Sequence, residues 1–157
     1  MDNSTLRLET GDRTRLSGPG LRAFQAIGDK WDLDEEQRLT LLGDPSRSTY
    51  EDWLRKAVAR EGVVLPLETM MRISAILGVY KGLKIFFSEE STGLAWLKNT
   101  HSGGIFEGRS PLDVMLGGAQ DDLMTVRRYL DALTDGGLPT DLTPESGIAP
   151  VRAEDIE

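Results

Sequence analysis

Arg47, Ser48, Thr49 and Tyr50, with Arg55 two turns on, stand at the head of a short apolar-periodic segment that follows the turn Gly43-Asp44-Pro45. Side chains of these types at the leading end of a helix can bond phosphate oxygens and base edges. Residues 45–60 hold Arg47, Arg55, Lys56 and Arg60 against Glu51 and Asp52, a local +2 in a chain of formal charge −8. Any two packed helices share this pattern, so the residues alone leave a purely structural pair open. Further along, Arg109 beside Ser110 could grip a carboxylate or phosphate with paired N–H groups, or simply tie a loop to a neighbouring helix. Gly117-Gly118 ahead of a helix suggests an anion site, but Asp121 and Asp122 in the next turn already answer the helix dipole. Arg127 and Arg128 precede Asp131 by four and three residues, the spacing of a solvated, ion-paired face.

Other chemistry is excluded by what is missing. The chain has one histidine, His101, and no cysteine. A serine triad, a multi-histidine metal site, a thiolate zinc site and a cysteine nucleophile therefore all lack their parts. No catalytic residue, metal or cofactor is expected, and His101, in a glycine-serine loop without an acidic partner, is expected at the surface. Lys and Arg total 18 against 26 Asp and Glu over 157 residues, which argues against a broad nucleic-acid-coating surface but not against a local basic patch. No uncharged stretch exceeds eight residues, far short of the ~20 that a membrane-spanning helix needs. The N-terminus has no apolar run of the signal-peptide kind, so a cytoplasmic protein without a membrane partner is expected.

The elements that must position these groups read as helix after helix. Residues 1–16 are polar and weakly periodic, a flexible lead-in. Ser17 precedes Pro19 and the series Leu21, Phe24, Ile27 and Trp31 on one helical face. Asp34 and Gln37 form a capping box that opens a short helix through Leu42, and Ser48 to Glu51 reads as a second box opening a helix over 48–60. Two short helices across a tight turn have helix-turn-helix geometry. A longer helix is predicted from about Leu67 to Phe87, apolar on more than one side, with Gly78 and Gly82 placed to let another helix approach. A short helix around Leu94–Leu97 and the turn-rich residues 99–108 follow. Ser110-Pro111-Leu112-Asp113 then caps one helix, and Ala119, Leu123, Val126, Leu130 and Leu133 line the last. Trp31, Trp53 and Trp96 are read as core or interface anchors. From Gly136, five acids against Arg152 mark a disordered acidic tail. The fold class is all-α, with an N-terminal domain over 17–62, a second over 67–135 and a division at Glu61 to Pro66.

These residues together resemble a family. The stretch Met71 to Leu83 (MRISAILGVYKGL) is similar to a signature of the Xre/MbcA/ParS-type antitoxins, and so are Ala95-Trp96-Leu97, Gly108 to Asp113 and Val126 to Leu130, in that order. Upstream, Leu41-Leu42-Gly43 followed by Ser48-Thr49-Tyr50 and Trp53 resembles the family's Xre-like helix-turn-helix. The resemblance spans about residues 20–135. It implies an antitoxin of a type II toxin–antitoxin system that binds and silences an NAD-attacking toxin with a RES domain and represses its own operon as a homodimer. It further implies toxin contacts from Trp96, Arg109, Ser110, Pro111, Leu112, Arg127, Arg128 and Tyr129, and DNA contacts from Arg47, Ser48, Thr49, Tyr50 and Arg55. A stand-alone helix-turn-helix regulator without a toxin is the competing expectation. Two departures stand out: Gly82 occupies a position where alanine is expected, and the acidic tail runs past the last helix.

Overall fold

Apolar residues three and four apart recur through the middle of the chain, and each such run forms a helix because that spacing lines one face of a 3.6-residue turn. The computed structural model describes residues 10–102 and 104–135, and among these the protein is all-α, with seven helices and no strand. Most of the expected lead-in and the whole acidic tail lie outside the described residues.

Helix α1 (Thr10–Lys30) begins earlier than expected and carries Pro19 in its interior. The residue before the proline is Gly18, which has no Cβ to crowd the pyrrolidine ring, so helical geometry continues through a position that usually ends it. Ser17 is therefore not a helix start. It is fully buried, its hydroxyl accepts the Leu65 N–H at 2.9 Å and donates to the Met70 thioether at 3.5 Å. The expected core face holds, with Leu21, Phe24, Ile27 and Trp31 all buried.

Helix α2 (Glu35–Leu41) opens on the predicted capping box: the Gln37 N–H donates to the Asp34 carboxylate at 2.8 Å, and the Asp34 N–H to the Gln37 side chain at 2.9 Å. Gly43 and Asp44 then turn the chain with positive φ, +96° and +67°. Helix α3 (Arg47–Val58) is capped by Ser46, not by the expected Ser48: the Thr49 N–H donates to Ser46 Oγ at 3.1 Å. Pro45 ends the turn and Ser46 follows in an extended conformation, the geometry an N-cap needs. Arg22 secures α1 to α3 by donating to the Ala57 carbonyl at 2.9 Å.

Helix α4 (Leu67–Phe86) matches the long predicted segment. The chain divides into two compact units between Leu77 and Gly78, inside α4, rather than at Glu61 to Pro66. Val63 and Leu65 explain the difference. Both are buried, and Ser17 holds the Leu65 backbone, so the expected linker is core of the first unit.

The second unit adds α5 (Glu90–Lys98), α6 (Pro111–Met115) and α7 (Gln120–Thr134). Close approach at the two glycines of α4 is confirmed. A Cβ at Gly82 would lie 3.0 Å from Leu130 Cβ, and one at Gly78 would lie 2.4 Å from Arg127 Nε. Beside this contact the core is aromatic. The Trp96 and Tyr129 rings stack with centroids 5.8 Å apart, Phe106 meets Tyr129 edge-on at 4.9 Å, and Phe87 lies 5.9 Å from Trp96. Buried aromatic pairs of this kind each contribute about 0.5–1.5 kcal/mol beyond their area.

Candidate functional site

Two surfaces collect the residues that the sequence marked, one in each unit. In the first unit, the register set by Ser46 places Arg47, Ser48 and Thr49 in the first turn of α3, all exposed. Arg47 is ion-paired to Glu35 at the start of α2, Arg55 to Asp52, and Lys56 to the same Asp52 at 3.2 Å. The local positive charge is thus held in exposed ion pairs. Such pairs are worth only about 0–1 kcal/mol, so an incoming phosphate can displace them. Ser48 Oγ lies 3.3 Å from Ser46 Oγ, and Ser46 donates to the Thr49 hydroxyl at 2.8 Å.

Tyr50 does not join them. It is 3% exposed, and its hydroxyl donates to the Gln25 side chain at 2.5 Å, so it fastens α3 to α1 instead of facing a duplex. Burial pushes its pKa above the ordinary tyrosine value, while nearby Arg38 works in the other direction. Periodicity could have shown this, since Tyr50 and Ala57 are seven apart and share the core face of α3.

The same helix presents an apolar strip that the sequence did not flag. Val58 is 73% exposed, and with Leu54, Ala59, Glu51 and Arg55 it lines a shallow groove on α3. Arg72 is a second omission. Its buried guanidinium packs under the α2–α3 turn, where a Cβ at Gly43 would come within 3.0 Å of Arg72 Nε, and it pairs with Glu68 at 3.1 Å. An arginine inside an otherwise apolar run was the available signal.

In the second unit the expected toxin-contact residues separate into supports and exposed heads. Trp96, Ser110, Pro111, Leu112 and Tyr129 are buried. Ser110 Oγ accepts the Asp113 N–H at 2.9 Å and Pro111 occupies the first helical position, as predicted. These five hold the surface and do not form it. Arg109 is exposed at the end of the 99–110 loop, with its backbone fixed on both sides: its carbonyl accepts the His101 N–H at 3.1 Å and its own N–H donates to the Phe106 carbonyl at 2.9 Å. Arg128 is exposed and reaches Asp121 at 3.3 Å instead of Asp131. Arg127, partly buried, keeps the predicted partner Asp131 at 4.0 Å.

His101 corrects another expectation. It is 8% exposed, lies 5.5 Å from the Trp96 ring and 5.7 Å from Phe106, and its Nε2 is 2.9 Å from the Trp96 carbonyl. The loop around it turns tightly, with positive φ at Gly104, Glu107 and Gly108, and the Gly108 N–H donates to the His101 carbonyl at 2.7 Å. The surface histidine of the sequence is thus the peg that closes this loop onto the aromatic core. At the start of α7, the Asp122 carboxylate accepts the Ala119 N–H at 3.2 Å, so an acid of the chain itself occupies the end where an anion would bind.

The described residues contain no cluster of histidine and carboxylate side chains able to hold a metal ion, and no helix long and apolar enough to cross a membrane. Residues 82–136 match the family described as the antitoxin Xre/MbcA/ParS C-terminal toxin-binding domain. A protein of Sinorhizobium fredii (strain NBRC 101917 / NGR234), called uncharacterized protein y4oB, is 40% identical over 116 residues, which cover 74% of this chain and 84% of the relative. No solved structure matches the chain with significance.

Proposed function

Because the chain belongs to the Xre/MbcA/ParS antitoxin family, we propose that it is the antitoxin of a type II toxin–antitoxin system whose toxin is a RES-domain enzyme that degrades NAD. Toxin binding by the C-terminal half rests on one observation above the others, the family's toxin-binding domain over residues 82–136. The packing there supports the reading. A closed aromatic core and a pegged loop hold Arg109 and Arg128 outward on a rigid frame, and rigid presentation lowers the ordering cost of association.

The second part of the proposal is autoregulation in the cytoplasm: a homodimer represses its own operon, with α2 and α3 as the DNA-binding pair. The capped start of α3 supports it, with Arg47, Ser48 and Thr49 exposed in one turn and Arg55 exposed two turns on. Coexpression with the gene product encoded beside it tests the whole reading. Growth arrest and NAD loss caused by that product should both be suppressed. A chain that represses its promoter yet leaves the toxic product active would be a stand-alone regulator instead.

A further inference from the structure

Within the segment matched to the toxin-binding domain, one large apolar side chain stands exposed among the described residues: Ile85, at 62%. Single exposed apolar residues are common on soluble proteins, so exposure alone carries little. Its surroundings are what distinguish it. Lys81 lies one turn before it and Lys84 directly before it, both exposed, on the side of α4 opposite buried Val79 and Leu83. Residues 69–88 contain Arg72, Lys81 and Lys84 and no carboxylate, in a chain of net charge −8. Among the described residues neither lysine is ion-paired, and the Lys84 ammonium sits 5.6 Å from the centre of the Tyr80 ring. Arg127 borders the patch from α7, across Gly78, sharing its charge with Asp131.

We propose that Ile85, flanked by Lys81 and Lys84, is the anchor by which this antitoxin docks on its toxin, entering an apolar depression rimmed by carboxylates. The inference rests on the antitoxin reading above. An aliphatic anchor surrounded by charges of one sign is how interfaces concentrate affinity at the centre and steer encounter from the rim. In a chain of net charge −8, α4 carries no carboxylate after Glu68, so the exposed Lys81 and Lys84 beside Ile85 favour an acidic partner.

The experiment uses the full-length chain and the purified toxin encoded beside its gene. Binding is measured at two salt concentrations, for wild type, Ile85→Asp, Ile85→Val and Lys81→Glu with Lys84→Glu, after thermal unfolding has shown each variant folded. Ile85→Asp should weaken binding by about 30-fold or more, seen mainly as faster dissociation. Ile85→Val should stay close to wild type. The double lysine variant should associate about 10-fold more slowly and lose most of its salt dependence. Tight wild-type binding that Ile85→Asp leaves within about threefold overturns the anchor and spares the antitoxin reading, whereas a wild-type chain that does not bind overturns both. Two other occupants are distinguishable. If Ile85→Asp reduces the oligomeric mass but not toxin affinity, the patch serves a second copy. If its effect vanishes once residues 137–157 are deleted, the patch serves the chain's own acidic end. Either result overturns the proposal.

Discussion

An alanine methyl at Gly82 would sit 3.0 Å from Leu130 Cβ, an atom that no side-chain rotation can move away. Helix propensity favours alanine over glycine by about 1 kcal/mol, but forcing two helices apart costs about 1–3 kcal/mol. The second effect wins, so Gly82→Ala should destabilise the chain by about 1 kcal/mol. Gly62→Ala, with nothing within 4 Å, should be neutral or stabilise by about 0.4–1 kcal/mol. Urea midpoints for the pair check this, and an equal response at both sites counts against it. Tyr50 supplies a second residue-scale expectation. Its folded pKa is raised by burial, so the stability it contributes is complete below the unfolded value, near pH 10, and is lost as pH rises through the folded one. Tyr50→Phe removes the hydrogen bond to Gln25, a loss of about 1 kcal/mol at pH 7, but leaves nothing to ionise. The stability gap between the two proteins should narrow above pH 10, and a gap that stays constant between pH 7 and pH 11 would show that Tyr50 is not the group involved. His101 did not disclose its burial in sequence, because it is buried by what packs against it, the rings of Trp96 and Phe106. The burial of Tyr50 was legible in its seven-residue spacing from Ala57, but its partner Gln25 on α1 was not.

At the scale of elements, legibility follows how local the controlling interaction is. The Asp34–Gln37 box, the Ser110-Pro111 start and the apolar faces of α1, α4 and α7 are all set within a few residues, and the structure agrees with each. The start of α3 was harder, because Ser46 and Ser48 are both capable caps and only the backbone left by Pro45 chooses between them. Ser46→Ala should therefore cost about 1 kcal/mol, within the usual range for an N-cap, while Ser48→Ala should cost under about 0.5 kcal/mol. Chemical denaturation of the two variants decides the register, and the reverse ranking would restore the cap to Ser48. Pro19 misled for a related reason. Proline usually marks a helix start or stop, and α1 passes through it only because Gly18 removes the clash. The 61–66 segment misled for the opposite reason, since its role depends on the distant Ser17 hydroxyl, a partner that no local pattern reveals.

For the molecule as a whole, the two surfaces should fail independently. The residues proposed to meet DNA are exposed on α3 of the first unit, and the family's toxin-binding domain occupies residues 82–136 of the second. Arg47 and Arg55 pair with Glu35 and Asp52 of the first unit, and substitutions without shared partners usually act additively. Arg47→Ala with Arg55→Ala, made in the full-length chain, should therefore weaken operator binding and leave neutralisation intact. If each arginine neutralises one phosphate, the slope of log affinity against log salt should become shallower by about 2. Any base contact made by Arg47 would add about 1–3 kcal/mol to the loss. The substitutions also make an acidic chain more acidic, which could weaken DNA binding from a distance. Lys30→Ala with Lys98→Ala removes the same charge from exposed positions outside α3, and operator affinity there should change by no more than a few-fold if α3 itself makes the contacts. Gel shifts with the promoter, run beside growth rescue in cells expressing the toxin, read both activities from one set of variants. Equal loss of operator binding in the two double variants would assign the effect to net charge and remove α3 as the reader. Loss of growth rescue by Arg47→Ala with Arg55→Ala, in a chain that still folds, would mean that the toxin also touches the first unit, and the division of labour between the two halves would fall.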